Sequence, residues 1–178
     1  MAIFNRLPSL RQIAPVYAIA VIIIYTWTAV WFLWNLPSWL FFMTAGEIAL
    51  VYAYILATNF LESLLVVCGP ILLSFVLPSK WFRDSFVARG SSLVILGLGY
   101  AMFLALQFQT RDAYPSILLK VWSVALALGL IALLVFVVGK IPFVRRAVEF
   151  IAEQVTVFLF IYVPISIVSL FIVLPRVL

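Results

Sequence analysis

The stretch TAGEIALVYAYILATNFLES, residues 44–63, decides the fold class, because it is an almost unbroken apolar run. It nevertheless carries two acidic residues, Glu47 and Glu62. Apolar runs of about 18 residues or more are typical of membrane-spanning helices. Such runs fill most of the 178-residue chain, which is 67% hydrophobic and only 10% charged, with a mean hydropathy of +1.29. The sequence therefore predicts an integral membrane protein with one polytopic domain over residues 1–178.

The apolar segments are predicted to be helices rather than strands, so the fold class is an all-α bundle of five to six transmembrane helices. Backbone amides in lipid must be hydrogen-bonded within the protein, and no segment shows the alternating pattern of a membrane β-strand. A short basic tail at residues 1–12 precedes the first helix. Six apolar segments follow, at residues 13–34, 38–57, 60–77, 91–109, 117–139 and 148–174.

Two boundaries in the first half of the chain matter most for the topology. Asn35 and Pro37 are expected to end the first helix, because proline cannot donate a helical hydrogen bond. The second and third segments are joined only by Thr58 and Asn59. Residues 38–77 are therefore interpreted as one segment that is long, irregular or re-entrant.

The distribution of the basic residues favours five crossings, since lysine and arginine concentrate on the cytoplasmic side of a membrane. Residues 38–77 would then cross once, either as one long tilted helix or as a crossing plus a re-entrant piece broken at Gly69 and Pro70. Six crossings with the N-terminal tail outside are the alternative. The five-crossing path groups these residues on the cytoplasmic side: Arg6, Arg11, Lys80, Arg83, Arg89, Lys140, Arg145 and Arg146.

The two glutamates are the residues most suggestive of function. Charged side chains within a membrane usually face a protein interior or a water path. On a continuous helix Glu47 and Glu62 would lie about 60° apart around the axis, and Thr44, Tyr54 and Thr58 would share their sector. This polar stripe predicts a proton or cation path through Glu47, Tyr54, Thr58, Glu62 and Glu153, in which Glu47 lies deeper than Glu62.

Structural roles for the same glutamates are also open. Glu62 could be the first-turn partner of an N-cap at Thr58 or Asn59, if a new helix begins there. Glu47 could be paired with a basic residue of another helix. The sequence favours different roles for the two glutamates: a cap at Glu62 and a functional carboxyl at Glu47.

Residues 78–90 mix charged and aromatic side chains and are predicted to be an amphipathic loop on the membrane surface. Lipid headgroups are the expected contact of this loop and of the start of the last apolar segment. The residues assigned to that contact are Lys80, Trp81, Arg83, Arg89, Arg145 and Arg146.

Several function classes are disfavoured by composition. The net charge of +5 comes from residues at the ends of apolar runs and not from a basic stripe interleaved with aromatics, so no nucleic-acid partner is expected. The chain has no histidine and a single cysteine, which argues against histidine-ligated metals, zinc and iron–sulfur clusters. No phosphate-binding or nucleophile motif is found, so neither an enzyme nor a cofactor is predicted.

Two functional hypotheses follow. The first is a small oligomeric channel or transporter for protons or small cations, with Glu47 as the titrating or ion-selecting residue. The second is an accessory subunit of a larger membrane complex, without activity of its own. The expected partners are membrane lipids together with copies of the chain or other membrane subunits, in a prokaryotic cytoplasmic (inner) membrane.

Overall fold

The computed structural model describes residues 8–78, 82–109 and 121–177, and these residues form helices without any strand. Two short 3₁₀ helices, Arg83–Ser85 and Thr156–Phe158, precede the third and the last α-helix. The α-helices are α1 Leu10–Trp39, α2 Ala45–Val76, α3 Phe86–Gln109, α4 Val121–Lys140, α5 Pro142–Val155 and α6 Leu159–Val177.

Four helical segments are long and apolar enough to cross a membrane, and this confirms the prediction of a multi-pass, all-α membrane protein. A shorter apolar helix, Val124–Lys140, is a fifth candidate. The segment that contains α5 and α6 counts as one span because the 3₁₀ turn between them continues the same path. The four long spans are Leu10–Trp39, Ala45–Val76, Phe86–Gln107 and Pro142–Arg176.

The predicted end of the first helix is wrong, because α1 continues through Asn35 and Pro37 to Trp39. The Asn35 side-chain amide donates a hydrogen bond to the Trp31 carbonyl, 2.8 Å away, and so reinforces the helix instead of ending it. The chain reverses only after Trp39, in a turn at residues 40–43. The second helix therefore begins at Ala45 and not at residue 38.

Residues 45–76 form one helix, so the option of a single long helix is the correct one for this segment. At about 1.5 Å per residue, α2 is about 48 Å long, which exceeds the roughly 30 Å of membrane hydrocarbon. Neither Thr58–Asn59 nor Gly69–Pro70 interrupts it. The Thr58 hydroxyl donates to the Tyr54 carbonyl at 3.0 Å, within the helix, and the buried Asn59 side chain is directed to α1.

Close contacts place the starts of α1, α3 and α5 at one end of the bundle, together with the ends of α2 and α4. A Cβ atom on Gly90 of α3 would lie 3.1 Å from Val16 of α1 and 3.6 Å from Pro70 of α2. A Cβ atom on Gly139 of α4 would overlap Arg89 of α3. Among the described residues, α1, α2, α3, α4 and the segment of α5 and α6 therefore run along the bundle in alternating directions.

The core forms around α1, whose buried residues face α2, α3, α5 and α6. Polar contacts link α1 to its neighbours at several levels, including a hydrogen bond from the Ser63 hydroxyl of α2 to the Tyr17 hydroxyl at 3.3 Å. The Tyr25 hydroxyl lies 2.5 Å from the Ser166 hydroxyl of α6, and the Asn59 amide of α2 donates to the Thr28 hydroxyl at 2.7 Å. Hydrogen bonds of this kind between membrane helices contribute about 0.6 to 2 kcal/mol each and fix which faces meet.

Candidate functional site: the groove around Glu62

Glu47 lies in the first turn of α2 and completes a capping box with Thr44. Its carboxylate accepts hydrogen bonds from the Thr44 backbone N–H at 2.7 Å and from the Thr44 hydroxyl at 2.9 Å. In return, the Glu47 N–H donates to the Thr44 hydroxyl oxygen at 3.4 Å. The expectation that Glu47 lies deeper than Glu62 is therefore wrong, because the helix begins only two residues before Glu47.

Glu62 lies near the middle of α2, and the interpretation of Glu62 as part of a helix cap is wrong. The helix passes through Thr58, Asn59 and Glu62 without interruption, so no free N-terminal amides exist there for a carboxylate to cap. The Glu62 side chain is exposed on the side of the bundle. The sequence suggests a cap at Glu62 and an unexplained carboxyl at Glu47. The structure instead shows the cap at Glu47, and Glu62 is the carboxyl without a capping role.

Three adjoining cavities form a groove along α2, which we call the α2 groove. The central cavity, of about 550 Å³, lies between α1, α2 and α3 and is lined by Glu62. A second cavity of about 460 Å³ shares Thr28, Thr58 and Glu62 with it and extends towards Val51. A third, of about 300 Å³, shares Val66 and Leu98 with the central cavity.

The length of the α2 groove is comparable to the thickness of the hydrocarbon core. Its cavities are lined by α2 from Val51 to Pro70, which corresponds to about 28 Å along a helix. Glu62 lines the two cavities on the side of Val51, whereas the third cavity has apolar walls that include Gly69 and Gly97. The groove therefore has a polar part around Glu62 and an apolar part towards the end where α3 begins.

The polar part of the groove has mostly apolar walls, among which Thr28, Thr58 and Glu62 are the polar side chains that its two cavities share. The Thr58 hydroxyl donates its proton to the Tyr54 carbonyl, and the Thr28 hydroxyl donates to the Ile24 carbonyl at 3.0 Å. The Thr28 oxygen already accepts a hydrogen bond from the Asn59 amide and keeps one acceptor site, whereas an ionised carboxylate offers only acceptors. Such a set of oxygens suits a proton donor or a small cation and disfavours an anion.

Glu62 has no positive partner among the residues that the structure describes. No lysine or arginine lines the two cavities that Glu62 lines. Within the described ranges the ion pair joins Arg145 to Glu149, at 2.9 Å, and no cluster of three metal-ligating side chains is found. A bare charge at the centre of a membrane costs about 3 kcal/mol or more, so carboxyl groups within membrane helices usually face a partner or a water path.

The structure brings together only some of the residues predicted for the path. Tyr54, Thr58 and Glu62 line the α2 groove, whereas Glu47 lies at its helix end and Glu153 is exposed on α5 and lines none of the three cavities. Two contributors, Thr28 and Asn59, were not predicted for this path. Their polarity within apolar runs was the available signal, but which helix they face depends on packing between distant segments.

The predicted surface loop at residues 78–90 differs from the structure. Lys80 and Trp81 lie outside the described residues, and only the backbone of Arg83 is described. Phe82 and Phe86 are buried in the core, and Arg89 is only 7% exposed, because this stretch is already helical from Arg83 onwards and packs into the bundle. A surface position is therefore wrong for Arg89, whereas Arg146 on α5 is exposed.

Comparisons of the chain with family models, with curated proteins and with solved structures found no match.

Proposed function

We propose that this protein is a small channel or transporter that carries protons or small cations across a membrane, with the Glu62 carboxylate as the group that binds them. The observation that carries the proposal is the position of Glu62. It lies near the middle of the apolar helix α2 and lines two cavities that share Thr28 and Thr58 as well. The acceptor oxygens of Thr28 and Thr58 beside it fit a proton or a cation.

The proposed orientation places the end of the bundle that holds the start of α1 in the cytoplasm. Among the described residues, the basic side chains at that end outnumber those at the other, where Arg176 lies in the last turn of α6. This agrees with the positive-inside tendency. Those at the proposed cytoplasmic end are Arg11, Arg89, Lys140, Arg145 and Arg146.

In this orientation Glu47 lies at the outer surface and Glu62 lies within the hydrocarbon. The two are about 22 Å apart along the helix axis, because each residue adds about 1.5 Å. A proton or cation would enter between α1 and α2 near Val51 and Tyr54, bind at Glu62, and leave past Val66 and Gly69. The apolar third cavity would then be the barrier that keeps the path from leaking.

The groove opens at the side of the bundle, so one protomer alone does not enclose the path. A second copy of the chain would supply the missing wall, which is why we propose a homo-oligomer. A bundle of this size also leaves little room for a pore within one protomer.

Reconstitution into liposomes tests this proposal. With an imposed pH or cation gradient, the unmodified protein should conduct, and Glu62→Gln should reduce the flux about tenfold or more because it removes the ionisable group. Glu62→Asp should retain part of the flux. Glu47→Gln is the matched control and should conduct normally, and an unchanged flux in Glu62→Gln would exclude the proposal.

The lateral opening also favours a second candidate function, that of an accessory subunit. A helix of another membrane protein could cover the α2 groove and provide a cation for Glu62. Gentle purification from the native membrane, followed by mass spectrometry of the co-purifying chains, separates the two candidates. Other subunits in fixed ratio would support the accessory role, and a homo-oligomer would support the channel or transporter.

A further inference from the structure

A second unusual site lies at the proposed cytoplasmic end of the bundle, about one turn into α3. Arg89 is 7% exposed, and its Nε and Nη1 atoms have no hydrogen-bond partner among the described residues. Arginine at a buried position normally forms hydrogen bonds to a carboxylate, a phosphate or backbone carbonyls. The two buried guanidinium nitrogens of Arg89 therefore lack, within the described part of the chain, the hydrogen-bond partners that such a position normally provides.

The contacts that hold Arg89 are with carbon atoms and a ring. Its guanidinium packs against Gly139 so closely that a Cβ atom there would overlap Nε. Its Cζ lies 5.8 Å from the centre of the Phe136 ring, and the Lys140 ammonium lies 4.6 Å from the same ring. Two cations thus share one aromatic ring, and neither is neutralised by it.

The acidic groups nearby balance this charge only in part: the Asp84 carboxylate interacts electrostatically with Arg89, and the Glu149 carboxylate pairs with Arg145. Arg145 uses its Nε to bind the Glu149 carboxylate at 2.9 Å and its Nη2 to bind the Asp84 carbonyl oxygen at 3.2 Å. Among the described residues, no carboxylate oxygen lies within 4.0 Å of the Arg89 or Lys140 nitrogens. The cluster of Arg89, Lys140 and Arg145 therefore keeps a net positive charge.

A buried hydroxyl close to Arg89 in the sequence is a second hydrogen-bond donor without a partner in the part of the chain that the structure describes. Ser85 is 4% exposed, and its Oγ has no partner among the described residues. It precedes Arg89 by four positions, so the two side chains share a helical face.

We propose that Arg89 and Ser85 bind a phosphate group, with Lys140 and Arg145 at the rim of the site. A guanidinium offers paired N–H donors whose spacing matches two phosphate oxygens, and a serine hydroxyl can donate to a third. The site lies near the end of the membrane spans, where the phosphates of phospholipids are found. The phosphate belongs either to an anionic phospholipid or to inorganic phosphate.

Native mass spectrometry of the purified protein tests this proposal without any flux assay. Phosphatidylglycerol is titrated against the unmodified protein, Arg89→Gln, and the control Arg146→Gln, which removes the same charge from an exposed site nearby. We expect Arg89→Gln to weaken binding about tenfold and Arg146→Gln to change it little. In a second arm, inorganic phosphate is compared with chloride at equal ionic strength by thermal unfolding.

The lipid arm and the inorganic phosphate arm distinguish the two sources of the phosphate. Dependence on Arg89 in the lipid arm supports a headgroup site, and dependence only in the inorganic arm supports a free phosphate site. Should Arg89→Gln fail to fold, Ser85→Ala and Arg89→Lys provide milder losses of the same donors. Equal binding by the unmodified protein, Arg89→Gln and Ser85→Ala in both arms would overturn the proposal.

Discussion

Glu47 and Glu62 are the same residue type on the same helix, yet their surroundings have almost nothing in common. Glu47 makes three hydrogen bonds with Thr44 and stabilises the first turn of α2. Glu62 has no ion-pair partner among the described residues and lines a groove in the middle of the helix. The comparison shows that the position of the helix boundary, and not the composition of the stretch, decides what each carboxylate can do.

The largest expected effect concerns the continuity of α2, on which the whole comparison depends. Thr58→Pro should lower the free energy of unfolding by about 3 kcal/mol, because proline removes an interior hydrogen bond and clashes with the preceding turn. Ala45→Pro should cost far less, since proline is favourable in the first position of a helix. Unfolding in mixed micelles, followed by circular dichroism, measures both. Equal tolerance of the two prolines would indicate a break near Thr58.

A smaller effect is expected at the helix start. Thr44→Ala should reduce the free energy of unfolding by about 1 kcal/mol, which is typical for the loss of an N-cap side chain. Glu47→Gln should cost less, because the amide can still accept the hydrogen bond from the Thr44 N–H. Neither change should alter ion flux in liposomes. A large loss of flux without a loss of stability in Thr44→Ala would show that this end of α2 belongs to the path.

The smallest effect is expected for the polar contact that joins α1 to α2 beside Glu62. A double-mutant cycle of Asn59→Ala and Thr28→Ala should give a coupling energy of about 0.6 kcal/mol, which is the average for hydrogen bonds between membrane helices. The same cycle with Asn59→Ala and Thr44→Ala is the control, because Thr44 lies far along the helix and should show no coupling. A zero value for the Asn59 and Thr28 pair would mean that their contact does not organise the groove.

Much of the fold could be predicted from composition and charge. Long apolar runs identify the membrane helices, of which the described residues contain four long ones and a shorter fifth candidate. The boundaries were harder, because Pro37 and Pro70 lie within helices instead of ending them. Membrane helices tolerate proline since neighbouring helices and side chains compensate for the missing hydrogen bond.

The site was only partly predictable. The pattern of Thr44 followed by Glu47 is itself a capping-box signature, so the role of Glu47 was readable from local sequence. The partnership of Thr28 with Asn59 and the contact of Arg89 with Gly139 join residues far apart in the chain. Local periodicity cannot report such contacts, because they depend on which helix faces which neighbour.

The most direct test of the difference between the two glutamates is chemical labelling with a hydrophobic carbodiimide, followed by peptide mass spectrometry. This reagent partitions into the membrane and reacts with protonated carboxyl groups, so it reports which glutamate takes up a proton within the hydrocarbon. We predict an adduct on Glu62, its suppression by a competing cation or in Glu62→Gln, and no adduct on Glu47. An adduct on Glu47 with Glu62 unmodified would contradict it.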